Sequence, residues 1–359
     1  FLQLPRLGAR SACVELTTRV CNKQFDYRPV RQYLRQGPIL AAFGLLGAYL
    51  VPILVSTGSN NVAAAMIYAL IISVSGLLLI RYVYRPWLWW GIICGLLGWW
   101  LIAVANGRAM DFQGIYLGLA TYLLLAVPTF DWLLSGRNST SDAPDVADVA
   151  HVPWPHSNAL WPTLLLVTGA WSISLGLSAD APLTLVHWGP LVLVLGLASR
   201  NHARLTVFSW LSLVLAGLAV IGAQLEYAQQ SWQLQVLDND TKKALMIFAL
   251  QFSALYMWLE AMGLYRRPYS HLKTSLLCLA PLCWLATLYF LTGELSGSWQ
   301  WSISAVILGL VYGCLSGYRL SKFPPTQDDS IIWLLLASHI AYSLAVAMYF
   351  REAGLTLAL

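Results

Sequence analysis

Side chains that can ionise or hydrogen-bond inside otherwise apolar segments carry whatever chemistry this sequence has, because a polar group in hydrocarbon is costly and persists only where it is used or satisfied. His339, preceded by Ser338, falls near the middle of an apolar run at 330–350. An imidazole there either relays protons or binds an anionic solute, or it stays neutral through a hydrogen bond to a neighbouring helix. Glu260 stands toward the end of the run at 243–264, with Gln251 and Ser253 earlier on the same helix. Helical spacing puts Arg267 two turns beyond it on the same face, with Arg266 nearby. The carboxylate is therefore either half of an interfacial ion pair or a cavity-facing acid that couples transport to protons. Asp131 lies one turn after Pro128, whose ring and missing N–H kink a helix and free a carbonyl. A broken helix beside an acid can form a site; an acid at a helix end balanced by Arg137 is the other reading.

Signatures of known chemistry are missing. HExxH, GxSxG, a Walker loop and GxGxxG are all absent, so hydrolase, ATPase and nucleotide-cofactor readings have no support and no cofactor is expected. His151 and His156 flank Val-Pro-Trp-Pro, but two histidines make an incomplete metal site and the prolines oppose a helix that would align them. Cys13, Cys21, Cys94, Cys278, Cys283 and Cys314 have no metal spacing, and the last four read as small packing residues, so no metal is expected. The acids Asp111, Asp180 and Glu294 are all that an enzyme acting on lipid-linked substrates would have to work with, and Asp111 is as easily a helix cap.

The elements that position these residues follow from composition. Of 359 residues, 58% are hydrophobic and 10% charged, with a mean hydropathy of +0.64, whereas soluble domains are about one-quarter charged. Continuous apolar runs near the ~20 residues needed to cross a bilayer, separated by charged turns, predict an all-α polytopic transmembrane bundle rather than a barrel of alternating strands. About eleven spans are expected, near 38–55, 62–80, 86–105, 112–134, 159–178, 182–199, 204–224, 243–264, 274–292, 299–317 and 330–350. With the N-terminus inside, seventeen of the 21 Lys and Arg fall on the cytoplasmic side, and only Arg108, Lys242, Lys243 and Arg351 lie outside. That bias fits basic loops resisting translocation. The formal net charge of +5 is scattered over these loops, not gathered in a patch, so nucleic acid is not an expected partner. The partners expected are the lipid bilayer, and membrane proteins or further copies of the chain.

The chain divides into a polar basic lead at 1–36, a four-helix membrane segment at 37–134, a cytoplasmic linker at 135–158 rich in Pro, Ser, Ala and Asp, and a seven-helix membrane segment at 159–359. Trp87, Trp89, Trp90, Trp188, Trp299, Trp301 and Trp333 sit at span ends, where aromatic belts anchor helices. Gly309, Gly313 and Gly317 recur every four residues, a small-residue stripe for close helix approach. Pro52, Pro162 and Pro281 are expected to kink their helices and free carbonyls for neighbours or a water-filled cavity.

The run Phe43-Gly44-Leu45-Leu46-Gly47-Ala48-Tyr49-Leu50-Val51-Pro52, followed by Ser56-Thr57-Gly58, resembles a segment of the bacterial predicted-membrane-protein family known as domain of unknown function 2339. The similarity is sharpest from about Gly37 to Asn106, including Gly95-Leu96-Leu97-Gly98, and later spans match in hydropathy and Trp content. The resemblance implies a bacterial inner-membrane protein and, since members are typically longer, a fragment of one. It supplies no catalytic or binding residues. Three functions remain in view: transport or permeation of a small or amphipathic solute near Asp131, Gln251, Glu260 or His339; a non-catalytic scaffold for envelope assembly; and a membrane-embedded enzyme.

Overall fold

The computed structural model describes residues 43–52, 54, 62–82, 86–107, 110–128, 133, 157–177, 183–201, 203–228, 231–235, 237–264, 271–292, 298–322 and 330–350. The chain forms two compact units, Phe1–Val51 and Pro52–Leu359. The first leads into an apolar helix, α1 (Phe43–Pro52).

In the second, the described residues form α2 (Val62–Tyr82), α3 (Pro86–Ala105), α4 (Met110–Ala126), α5 (Ser157–Leu177), α6 (Leu185–Asn201), α7 (Thr206–Ala223), α8 (Asn239–Leu264), α9 (His271–Thr292), α10 (Ser298–Lys322) and α11 (Ser330–Phe350). Eight of these, α2, α3, α5 and α7 to α11, are long and apolar enough to cross a membrane. Large apolar side chains such as Leu165, Leu250, Phe290 and Ile332 face outward, as a surface solvated by lipid requires. The protein is a multi-pass helical membrane bundle.

One element was not expected. Between α7 and α8, β1 (Leu225–Ala228) pairs antiparallel with β2 (Ser231–Leu234), Leu225 opposite Leu234. The polar–apolar alternation of Glu226-Tyr227 and Trp232-Gln233-Leu234-Gln235 is the strand period, overlooked beside the stronger helical runs.

Lipid offers helices no hydrophobic drive to associate, so close packing and interhelical hydrogen bonds hold the bundle. Trp89 Nε1 donates to Thr163 Oγ1 (3.1 Å) and Trp100 Nε1 to Ser174 Oγ (2.7 Å), fastening α3 to α5 at two levels. Tyr116 Oη donates to the Leu96 carbonyl (2.8 Å), and Trp171 Nε1 to that of Trp188 (3.2 Å). Trp89, Trp188 and Trp301 are thus buried inside the protein, while Trp87 and Trp299 face out. The belt expected from the sequence is therefore partly internal: Trp89 donates across helices, while the buried indoles of Trp188 and Trp301 have no hydrogen-bond partner among the described residues and serve as packing. Similarly, Cys278 packs inside but Cys94, Cys283 and Cys314 face outward; Cys13 and Cys21 lie outside the described residues.

Three helices, α9, α10 and α11, enclose a core of Leu277, Cys278, Leu282, Tyr312, Leu334, Ala337 and Ala341. Pro281 sits inside α9 and cannot bond the carbonyl of Leu277, four residues back. Tyr312 Oη of α10 donates to that carbonyl (3.3 Å) and to Cys278's (2.7 Å). Tyr312→Phe should cost about 1–2 kcal/mol in detergent unfolding. The loss should shrink in a Pro281→Ala background, where the helix satisfies the carbonyl itself; an equal loss in both backgrounds would refute this account.

Candidate functional site

The buried residues of α7 are Thr206, Phe208, Ser209, Ser212, Leu213, Ala216 and Val220, with all three hydroxyls in its first half. On α8 the buried residues Phe248, Phe252, Tyr256 and Glu260 recur every four positions, on one face. The two stripes meet where Ser212 Oγ and Tyr256 Oη share a 2.8 Å hydrogen bond. From that bond, one turn back along α7 reaches Ser209 and one turn on along α8 reaches Glu260, which puts hydroxyl and carboxyl at the same level. Another turn along α7 reaches Thr206. Glu260 is only 3% exposed, Ser209 2% and Thr206 0%. The hydroxyls of Thr206 and Ser209 have no hydrogen-bond partner among the described residues.

The first turn of α9 closes this end. Trp210 Nε1 of α7 donates to the Leu272 carbonyl (3.1 Å), which seats α9 beside the stripe. Lys273, half-buried, lies within electrostatic reach of Glu260, and Arg200, exposed at the end of α6, within reach of Lys273. Trp333 Nε1 of α11 approaches His271 Nδ1 at 3.4 Å. In the other direction the polar groups stop. Phe252 packs on Tyr256, Phe248 and Trp284 with ring centroids 6.4, 4.3 and 5.8 Å away, and Trp171 stacks on Phe252 at 6.4 Å. The arrangement is a buried file of polar side chains with basic residues beyond one end and packed aromatic rings at the other.

Of the residues singled out from the sequence, only Glu260 belongs to this file. Gln251 is exposed, its Oε1 accepting from the Leu185 backbone N–H at 3.4 Å. His339 is exposed on α11, its carbonyl accepting from Ser343 Oγ. Asp131 lies outside the described residues, as do Arg266, Arg267, Asp180 and Glu294. Asp111 is exposed in the first turn of α4. In the glycine series, a Cβ on Gly309 would meet the Tyr342 ring at 2.9 Å, one on Gly313 would touch Ser338 Oγ at 3.8 Å, and one on Gly317 would meet nothing within 4 Å. Ser338 Oγ also donates to the Gly309 carbonyl (2.9 Å), so α10 and α11 are closest at Gly309.

Sequence reading missed Lys273, counted there as a loop charge although it sits in a helix, and it missed Thr206 and Ser209. Their signal was available: three hydroxyls at 206, 209 and 212 share one helical face.

The family described as predicted membrane protein DUF2339 matches residues 34–359. The chain belongs to this family. No curated protein and no solved structure matches the chain. Membership of DUF2339, a family of predicted membrane proteins, agrees with the helical bundle.

Proposed function

We propose that this protein moves a small or amphipathic solute across the bacterial cytoplasmic membrane, with its N-terminus inside and the solute's path along the file between α6, α7, α8 and α9. The observation that carries this reading is Glu260, a carboxylate withdrawn from water inside a membrane bundle with Lys273 within electrostatic reach. Such a charge is costly, and in membrane proteins it marks solute and ion pathways by default. The orientation draws support from Arg200, Arg204 and Lys273 beyond the file's basic end, since basic residues favour the cytoplasmic side. The packed aromatic rings then lie on the outward side. The linker at 135–158 would divide a four-helix segment from a seven-helix one on the cytoplasmic face.

Reconstitution of the purified chain into liposomes, with flux followed for a panel of small solutes, tests this. Flux is expected to fall at least tenfold in Glu260→Gln and to be retained in His339→Leu. Absence of flux for every solute, or flux indifferent to Glu260, would overturn it. A scaffold role is the second reading. It is favoured by His339, an imidazole facing outward from a span where a neighbouring protein could cover it more cheaply than lipid; a partner retained through mild detergent purification would support that role.

A further inference from the structure

Three features coincide at Glu260 that the transport reading does not by itself require. The carboxylate already has an ammonium of this chain, that of Lys273, as its charge neighbour. Two hydroxyls, Ser209 and Thr206, share its level or the next, each at least nine-tenths buried and each without a hydrogen-bond partner among the described residues. Beyond them lie the rings of Tyr256, Phe252, Phe248 and Trp284, packed tilted or edge-to-face on one another. A carboxylate and aromatic faces are both electronegative, and hydroxyl oxygens can accept hydrogen bonds from a donor cation.

We propose that the solute handled here is a small organic cation of the ammonium type, which exchanges with the Lys273 ammonium for the Glu260 carboxylate. Ser209 and Thr206 accept hydrogen bonds from its N–H groups, and the Tyr256 and Phe252 rings receive it by cation–π attraction on the way outward. Among the described residues an anion would meet the Glu260 carboxylate at close quarters, with Lys273 half-buried and Arg200 exposed at the surface. A long-stemmed lysine suits the exchange, because it can withdraw to the interface when displaced and return when the site empties. This proposal rests on the transport reading for direction, but not for binding.

The test is chemical rescue. Lys273→Ala in detergent should unfold at a lower temperature than the unaltered protein, and millimolar methylammonium should raise its Tm by about 3 °C or more, as a ligand bound to the folded state alone does. Sodium and acetate at the same concentrations should not, and Glu260→Gln added to Lys273→Ala should abolish the rescue. A rise with acetate, with sodium as large as with methylammonium, or with none of the three overturns the proposal. Should Lys273→Ala fail to fold, methylammonium is expected to slow the unaltered protein's labelled solute uptake in liposomes at least threefold and acetate to leave it unchanged; the reverse pattern overturns the proposal. Rescue without flux would retain the cation site and reject transport, whereas flux of anions without rescue would do the opposite.

Discussion

Gly118→Ala is expected to destabilise the bundle by about 3 kcal/mol, although alanine is the better helix former. A Cβ on Gly118 of α4 would lie 2.5 Å from Pro190 Cβ and 2.8 Å from the Leu191 backbone nitrogen of α6. One turn earlier, a Cβ on Gly114 would strike the His187 carbonyl oxygen and come within 2.7 Å of the Trp188 ring. Gly114-Ile115-Tyr116-Leu117-Gly118 is thus a groove in which another helix backbone rests, and backbone atoms, unlike a side-chain tip, have no rotamer by which to move aside. Gly98 on α3 is the control, because a Cβ there meets nothing within 4 Å. Gly98→Ala should stabilise by roughly 0.5–1 kcal/mol through helix propensity alone. Unfolding of both variants in mixed micelles decides the matter: opposite signs are expected, and equal small effects would show that α4 and α6 do not approach closely.

Lys273→Met should cost about 3 kcal/mol, and Glu260→Gln only about 1 kcal/mol. The asymmetry comes from burial. Glu260, 3% exposed, cannot reach water when its neighbouring charge is removed, whereas Lys273 is half-buried and can extend its ammonium to the interface when the carboxylate is neutralised. In the doubly substituted protein neither charge remains. Its loss should be close to that of Glu260→Gln alone, which gives a coupling of about 2–3 kcal/mol in a double-mutant cycle. Additive losses would mean that the two charges do not sense one another.

Each apolar run read from the sequence overlaps a described helix, because a chain in lipid must satisfy its backbone within each segment; eight of these helices are long and apolar enough to cross a membrane, and α4 ends at Ala126 where the run extends to 134. The carboxylate at the centre of the file was legible for the same reason: a lone acid in an apolar run is conspicuous. Its neighbours were less so. Arg267 shares Glu260's helical face by spacing and lies outside the described residues, while Lys273, a charge within electrostatic reach of Glu260, belongs to the next helix. Periodicity relates residues within a helix and says nothing of which helix stands opposite. The hydroxyl stripe of α7 and the Gly114–Gly118 groove have regular spacing, yet serine and glycine are common in spans, and only a partner at measurable distance separates a working pattern from a chance one.

Hydropathy and charge placement alone determined that this chain is a helical membrane protein and where its helices run, because transfer of a segment into hydrocarbon depends on that segment's own residues. Tertiary structure alone decided that Trp89, Trp100 and Trp171 bond across helices, that α4 rests on α6 through two glycines, and that the buried faces bearing Ser209 and Glu260 are joined by the Ser212–Tyr256 hydrogen bond. Those outcomes depend on pairings between helices far apart in sequence, and in a solvent as apolar as the helices themselves pairing is settled by shape and a few hydrogen bonds, not by composition.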